Sequence, residues 1–91
     1  MVYKTFTITS KVGLHARPAT SLVNAVNSFT SDVFLTAYGR TINLKSIMGV
    51  MSLGISGGTS VVISAEGIDE REAIEAIERV MKSESLGEEA C

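Results

Sequence analysis

The patterning of apolar residues predicts an α+β open-faced sandwich: a four-stranded, mainly antiparallel sheet with three helices on one face, ordered β-α-β-β-α-β-α. Three observations carry this prediction. Four short runs have strand character, while three stretches between and after them repeat apolar residues at helical spacing. Each helical stretch has only one apolar side, so a single sheet face is the natural partner for all three. The 91 residues, 45% of them hydrophobic, suit one core.

Val2 to Ile8 is rich in β-branched and aromatic residues, with Val2, Phe6 and Ile8 on one parity, as a half-buried first strand requires. After a loop, Ala19, Leu22, Val23, Val26 and Phe29 mark a helix from about Ala16 to Ser28, with Pro18 in its first turn. Asp32 to Ala37 and Thr41 to Leu44 read as a hairpin turning at Tyr38-Gly39-Arg40. Ser46 is a candidate N-cap for a short helix through Leu53, weakened by Gly49 and ended by Gly54. Thr59 to Ala65 has the content of a buried strand. Asp69 and Glu72 match a capping box for the last helix, whose stripe is Ala73, Ile74, Ile77, Val80 and Met81. Glu75 with Arg79 and Glu78 with Lys82 are spaced to pair on its solvent side. From Ser83 onward the polar chain is expected to fray.

Composition excludes several functions. The net charge of −2, the absence of Trp and the small number of Tyr and Phe residues argue against a nucleic-acid binder. No apolar run nears the roughly 20 residues that cross a bilayer, and the amino terminus lacks signal-peptide order, so a cytoplasmic protein without membrane insertion is expected. The single cysteine, Cys91, ends the sequence and forms neither an intrachain disulfide nor a metal cluster, and it is assigned no role.

The single histidine, His15, stands in Gly13-Leu14-His15-Ala16-Arg17-Pro18-Ala19, at the mouth of the first predicted helix. An imidazole has an unperturbed pKa of about 6.5 and can accept a transferred group. Helix starts offer backbone N–H donors and partial positive charge, and Arg17 adds a guanidinium whose fork matches phosphate oxygens. A histidine at a helix start is by itself more often a solvated loop residue or a substitute cap. The neighbouring glycine, arginine and proline turn the segment into a shallow phosphate seat.

These seven residues resemble the active-site signature of the HPr family, the histidine-containing phosphocarriers of the bacterial phosphotransferase system. Asn43 to Gly54 resembles the regulatory-serine region of the same family in low-GC Gram-positive bacteria. The similarity runs from Val2 to Gly87, which defines an expected phosphocarrier domain over residues 1–87 and a flexible tail over residues 88–91. The resemblance implies that His15 accepts a phosphoryl group at Nδ1 from phospho-enzyme I and passes it to sugar-specific EIIA components. Arg17 would offset developing charge and the N–H groups of Ala16 and Arg17 would bind phosphate oxygens. The carrier would be no enzyme in its own right, would need no cofactor or metal, and is expected to be a monomer. A related paralogue keeps the serine and lacks the histidine, and the presence of His15 disfavours that alternative.

Ser46 carries two readings, an ordinary N-cap and a modification site. The resemblance implies phosphorylation there by an ATP-dependent HPr kinase/phosphorylase, with the phosphoserine form a corepressor of the transcription factor CcpA. Ile47, Met48 and Met51 exceed what a short helix can bury, and together with Val23 of the first helix they are expected to form a partner-docking patch. Two rival functions are open to the same order of elements: a small-ligand sensing module and a hydrolase using His15 as base. The first predicts saturable metabolite binding; the second lacks an evident nucleophile with an orienting acid.

Overall fold

The computed structural model describes residues 1–90, and Cys91 lies outside the described residues. The chain folds as strand β1 (Val2–Ile8), helix α1 (Ala16–Val26), strands β2 (Asp32–Ala37) and β3 (Arg40–Asn43), helix α2 (Ile47–Ser52), strand β4 (Ser60–Glu66), helix α3 (Glu70–Ser83) and strand β5 (Gly87–Glu89). The sheet order is β3-β2-β4-β1-β5, and every pairing is antiparallel. The α+β open sandwich with three helices is therefore correct, while the sheet has five strands where four were expected.

The fifth strand is formed by residues expected to fray. Gly87, Glu88 and Glu89 pair with Ile8, Thr7 and Phe6 of β1, anchored by buried Leu86. Gly87 fits because a Cβ there would stand 2.7 Å from the Thr7 carbonyl oxygen. The strand carries no β-branched residue, so backbone pairing alone creates it and propensity gives no sign of it.

Alternation along the strands separates the two sheet faces. Phe6, Ile8, Val33, Leu35, Val61, Ile63 and Ala65 are buried toward the helices, whereas Tyr3, Thr36 and Ser64 point to the open side. The helices answer with Ala19, Leu22, Val23 and Val26 from α1 and Ala73, Ile74, Ile77 and Met81 from α3. Removing one large member of this core, such as Phe6 or Leu22, leaves a void worth about 2–5 kcal/mol.

Two expected surface contacts are replaced by longer-range ones. Asp69 makes no side-chain cap bond to α3. Its carboxylate instead reaches the start of β2, accepting the N–H groups of Thr30 and Ser31 at 2.9 Å each and the hydroxyl of Ser31. The Gly67 N–H goes to Glu70 at 3.1 Å, so the α3 start is held by Glu70 where a box with Glu72 was expected. Glu78 pairs with Lys4 across the β1–α3 interface, leaving the expected partner Lys82 aside. Packing α3 onto the sheet brings these groups closer than helical spacing does.

The Ser31 hydroxyl, then the Thr30 N–H, holds the Asp69 carboxyl below its ordinary 3.8, at about 2. Because the folded value lies below the unfolded one, this stabilisation is complete above pH 3.8 and is lost as pH falls through about 2. Thermal unfolding of wild type and Asp69→Asn should therefore show a stability gap at neutral pH that closes on acidification. A gap constant with pH would contradict this origin.

Candidate functional site

The segment before α1 is set by backbone requirements. Gly13 has φ +69, and a side chain there would run into the Ile55 carbonyl oxygen and stand 2.8 Å from Ser56 Cα. Only glycine allows so close an approach at such a dihedral angle. Leu14 then turns into the core, and its N–H donates to the Ile55 carbonyl at 3.0 Å. His15 follows in extended geometry, φ −83 and ψ −165, as the N-cap residue of α1.

The imidazole makes no side-chain cap bond to its helix, and His15, Ala16 and Arg17 are all exposed. The ring is therefore not committed to stabilising the structure. Pro18 sits buried in the first turn, and Ala19 N–H bonds back to the His15 carbonyl at 3.0 Å. Ala16 and Arg17 occupy the first positions of α1, whose N–H groups have no partner within the helix. His15, Ala16 and Arg17 thus stand consecutively at one exposed helix start.

Beside the ring lies a shallow depression of about 310 Å³ lined by Val12, Leu14, His15, Met51, Gly54, Ile55 and Ser56. It has the form of a contact surface rather than an enclosed cleft. Val12, an apolar loop residue 69% exposed, and the Gly54–Ser56 loop are features the sequence reading missed. Val12 offered a signal as an apolar residue in a polar loop; Ile55 and Ser56 gave none, because their role comes from the loop that folds back onto Gly13.

Of the expected docking residues, Met51 joins this depression, while Met48 is 78% exposed and Ile47 lies near it at the start of α2. Val23 is a correction. At 4% exposed it belongs to the core, because the α1 stripe that includes it faces inward. Ser46 caps α2, with its Oγ accepting the Gly49 N–H at 3.0 Å. Gly49, expected from helix propensity to weaken α2, keeps this cap uncrowded: a Cβ there would stand 3.3 Å from Ser46 Oγ. Ser46 is half-buried and does not line the His15 depression, although α1 and α2 pack together. Among the described residues no three His, Cys, Asp or Glu side chains could hold a metal ion, and no helix is long and apolar enough to cross a membrane.

Fold and site together define a class: a small α+β domain with an exposed imidazole at the N-terminus of its first helix, followed directly by Ala16 and Arg17. Comparison with known proteins narrows the class. A family model described as "PTS HPr component phosphorylation site" matches residues 2–83. The histidine-containing phosphocarrier protein of Mycoplasma is 42% identical, with a TM-score of 0.92 over 94% of this chain and 98% of that one. The phosphocarrier protein HPr of Bacillus anthracis is 44% identical, with a TM-score of 0.80 over 87% and 94%. The Bacillus subtilis catabolite repression protein Crh, described as a swapped-domain dimer, is 51% identical, with a TM-score of 0.71 over 82% and 86%. The chain belongs to the HPr family of the phosphotransferase system. Its general role is that of a phosphocarrier, a member of a transfer chain rather than a catalyst.

Proposed function

We propose that His15 is the phosphoryl acceptor, taking the group from phospho-enzyme I and delivering it to EIIA domains. The single observation that carries this reading is the exposed, uncapped imidazole at the N-terminus of α1, beside Arg17. In charging, the imidazole Nδ1 attacks phosphorus in line while the nitrogen of the donor departs with the bond electrons; in delivery the EIIA nucleophile attacks and the His15 Nδ1 departs with the electrons of its N–P bond. Docking completes the site by excluding water, and the Ala16 and Arg17 N–H groups with the Arg17 guanidinium stabilise the equatorial oxygens. The depression with Val12 and Met51, together with exposed Ile47 and Met48, supports a flat apolar contact for these partners.

The experiment is a relay. With enzyme I, labelled phosphoenolpyruvate and an EIIA domain, label should appear on this chain in acid-labile form and pass onward. Label that never leaves the chain, or saturable metabolite binding without labelling, would contradict the reading.

Regulation is the second part of the proposal. Ser46 is the residue modified by an HPr kinase/phosphorylase, and its phosphorylated form binds CcpA in carbon catabolite repression and transcription regulation. Support comes from the half-buried hydroxyl at the start of α2, the neighbouring Ile47 and Met48, and the likeness to Crh. Charge added there faces any partner seated across α1 and α2. Ser46→Asp is expected to slow charging of His15 by enzyme I about tenfold relative to Ser46→Ala and wild type. Equal rates in all three would remove the link. In this reading the protein works in the cytoplasm as a monomer.

A further inference from the structure

Tyr38 occupies a backbone position ill suited to it. It opens the β2–β3 turn at φ 54, in the left-handed region that asparagine and glycine enter far more readily than an aromatic residue. Strain of this kind persists where the side chain is tied down elsewhere. The phenol oxygen lies 2.8 Å from Thr59 Oγ1 and 3.3 Å from Ser56 Oγ, and it accepts the Ser56 N–H at 3.4 Å. Hydrogen bonding with Ser56, then Thr59, holds the phenol below its ordinary pKa. Tyr38 thus spans from the hairpin to both ends of a turn that closes through Thr59 N–H and the Ser56 carbonyl at 3.2 Å.

That turn adjoins the His15 site. Ser56 lines the depression beside the imidazole, the Ile55 carbonyl receives the Leu14 N–H, and Gly13 rests directly on Ile55 and Ser56. We propose that Tyr38 is a positioning residue for phosphoryl transfer: its hydroxyl fixes Ser56, and through Ile55 it fixes Leu14 and the approach of the His15 ring. The proposal rests on His15 being the acceptor. Tyr38 itself carries no group at any stage.

Tyr38→Phe keeps the ring and loses the hydroxyl, whereas Tyr38→Asn relieves the backbone strain and loses the reach. Asparagine suits this turn, so Tyr38→Asn is expected to melt at or above the wild-type temperature. Both variants should nevertheless show a maximal rate of His15 charging by enzyme I about tenfold lower at unchanged KM. The Leu14 amide should exchange with solvent about tenfold faster in both. A purely structural role predicts instead that rate follows melting temperature. Wild-type charging or wild-type Leu14 exchange in either variant, or rates that rise and fall with stability, would overturn the proposal. If the wild-type chain takes no phosphoryl group on His15, the acceptor assignment fails, and Leu14 exchange alone still decides whether Tyr38 holds the loop.

Discussion

Replacing His15 with alanine is expected to abolish phosphoryl acceptance while leaving the fold intact. The two halves of this result have separate physical causes. No other imidazole exists in the chain, so no side chain can form the same labile N–P bond. The ring is exposed and gives no side-chain cap bond to α1, so its removal should change stability by no more than about 0.5 kcal/mol. Unfolding in denaturant and charging by enzyme I should be measured on the same preparation. Residual charging of the alanine variant at a substantial fraction of the wild-type rate would place the acceptor elsewhere.

Gly13→Ala should produce the largest loss of stability among substitutions at the site. The left-handed φ of +69 costs an L-residue about 1–2 kcal/mol, and the collision with Ile55 and Ser56 adds roughly 1–3 kcal/mol of overpacking. Together these give about 3 kcal/mol. Gly39→Ala is the matched control, since φ there is +74 yet a Cβ meets nothing within 4 Å. It should lose only about 1 kcal/mol. Denaturant midpoints of the two variants separate the steric from the dihedral contribution, and equal losses would mean that Gly13 is not pressed against the Ile55 loop. Charging of His15 should fall with Gly13→Ala, because displacement of Leu14 carries the imidazole with it.

Much of the fold was legible because its signals are local. The stripe Ala19, Leu22, Val23 and Val26 and the β-branched run Val61-Val62-Ile63 each announce their element from a few residues, and the site motif lies within one short segment. What escaped was non-local. β5 exists because Gly87 to Glu89 meet the free edge of β1, and neither glycine nor glutamate favours strands. Asp69 matched a local cap, but tertiary packing offered it two N–H groups and two hydroxyls from the α1–β2 connection. Glu78 behaved similarly, finding Lys4 across the β1–α3 interface.

The site divides along the same line. His15, Ala16 and Arg17 sit together because they are consecutive, and the exposure of Ile47, Met48 and Met51 follows from too many apolar residues on a six-residue helix. Val23 was misplaced because its helical phase puts it in the inward stripe that also holds Leu22 and Val26. Ser56 and Tyr38 are invisible locally, since their relation to His15 passes through two loops distant in sequence.

The most direct test is to locate the phosphorus. After charging with enzyme I and phosphoenolpyruvate, nitrogen and phosphorus NMR of the intact chain should show one phosphohistidine bonded through Nδ1 of His15. Ser46 and the other hydroxyls should be unmodified. Phosphate on any other side chain, or an unchanged His15 ring after complete turnover of the donor, would contradict the account.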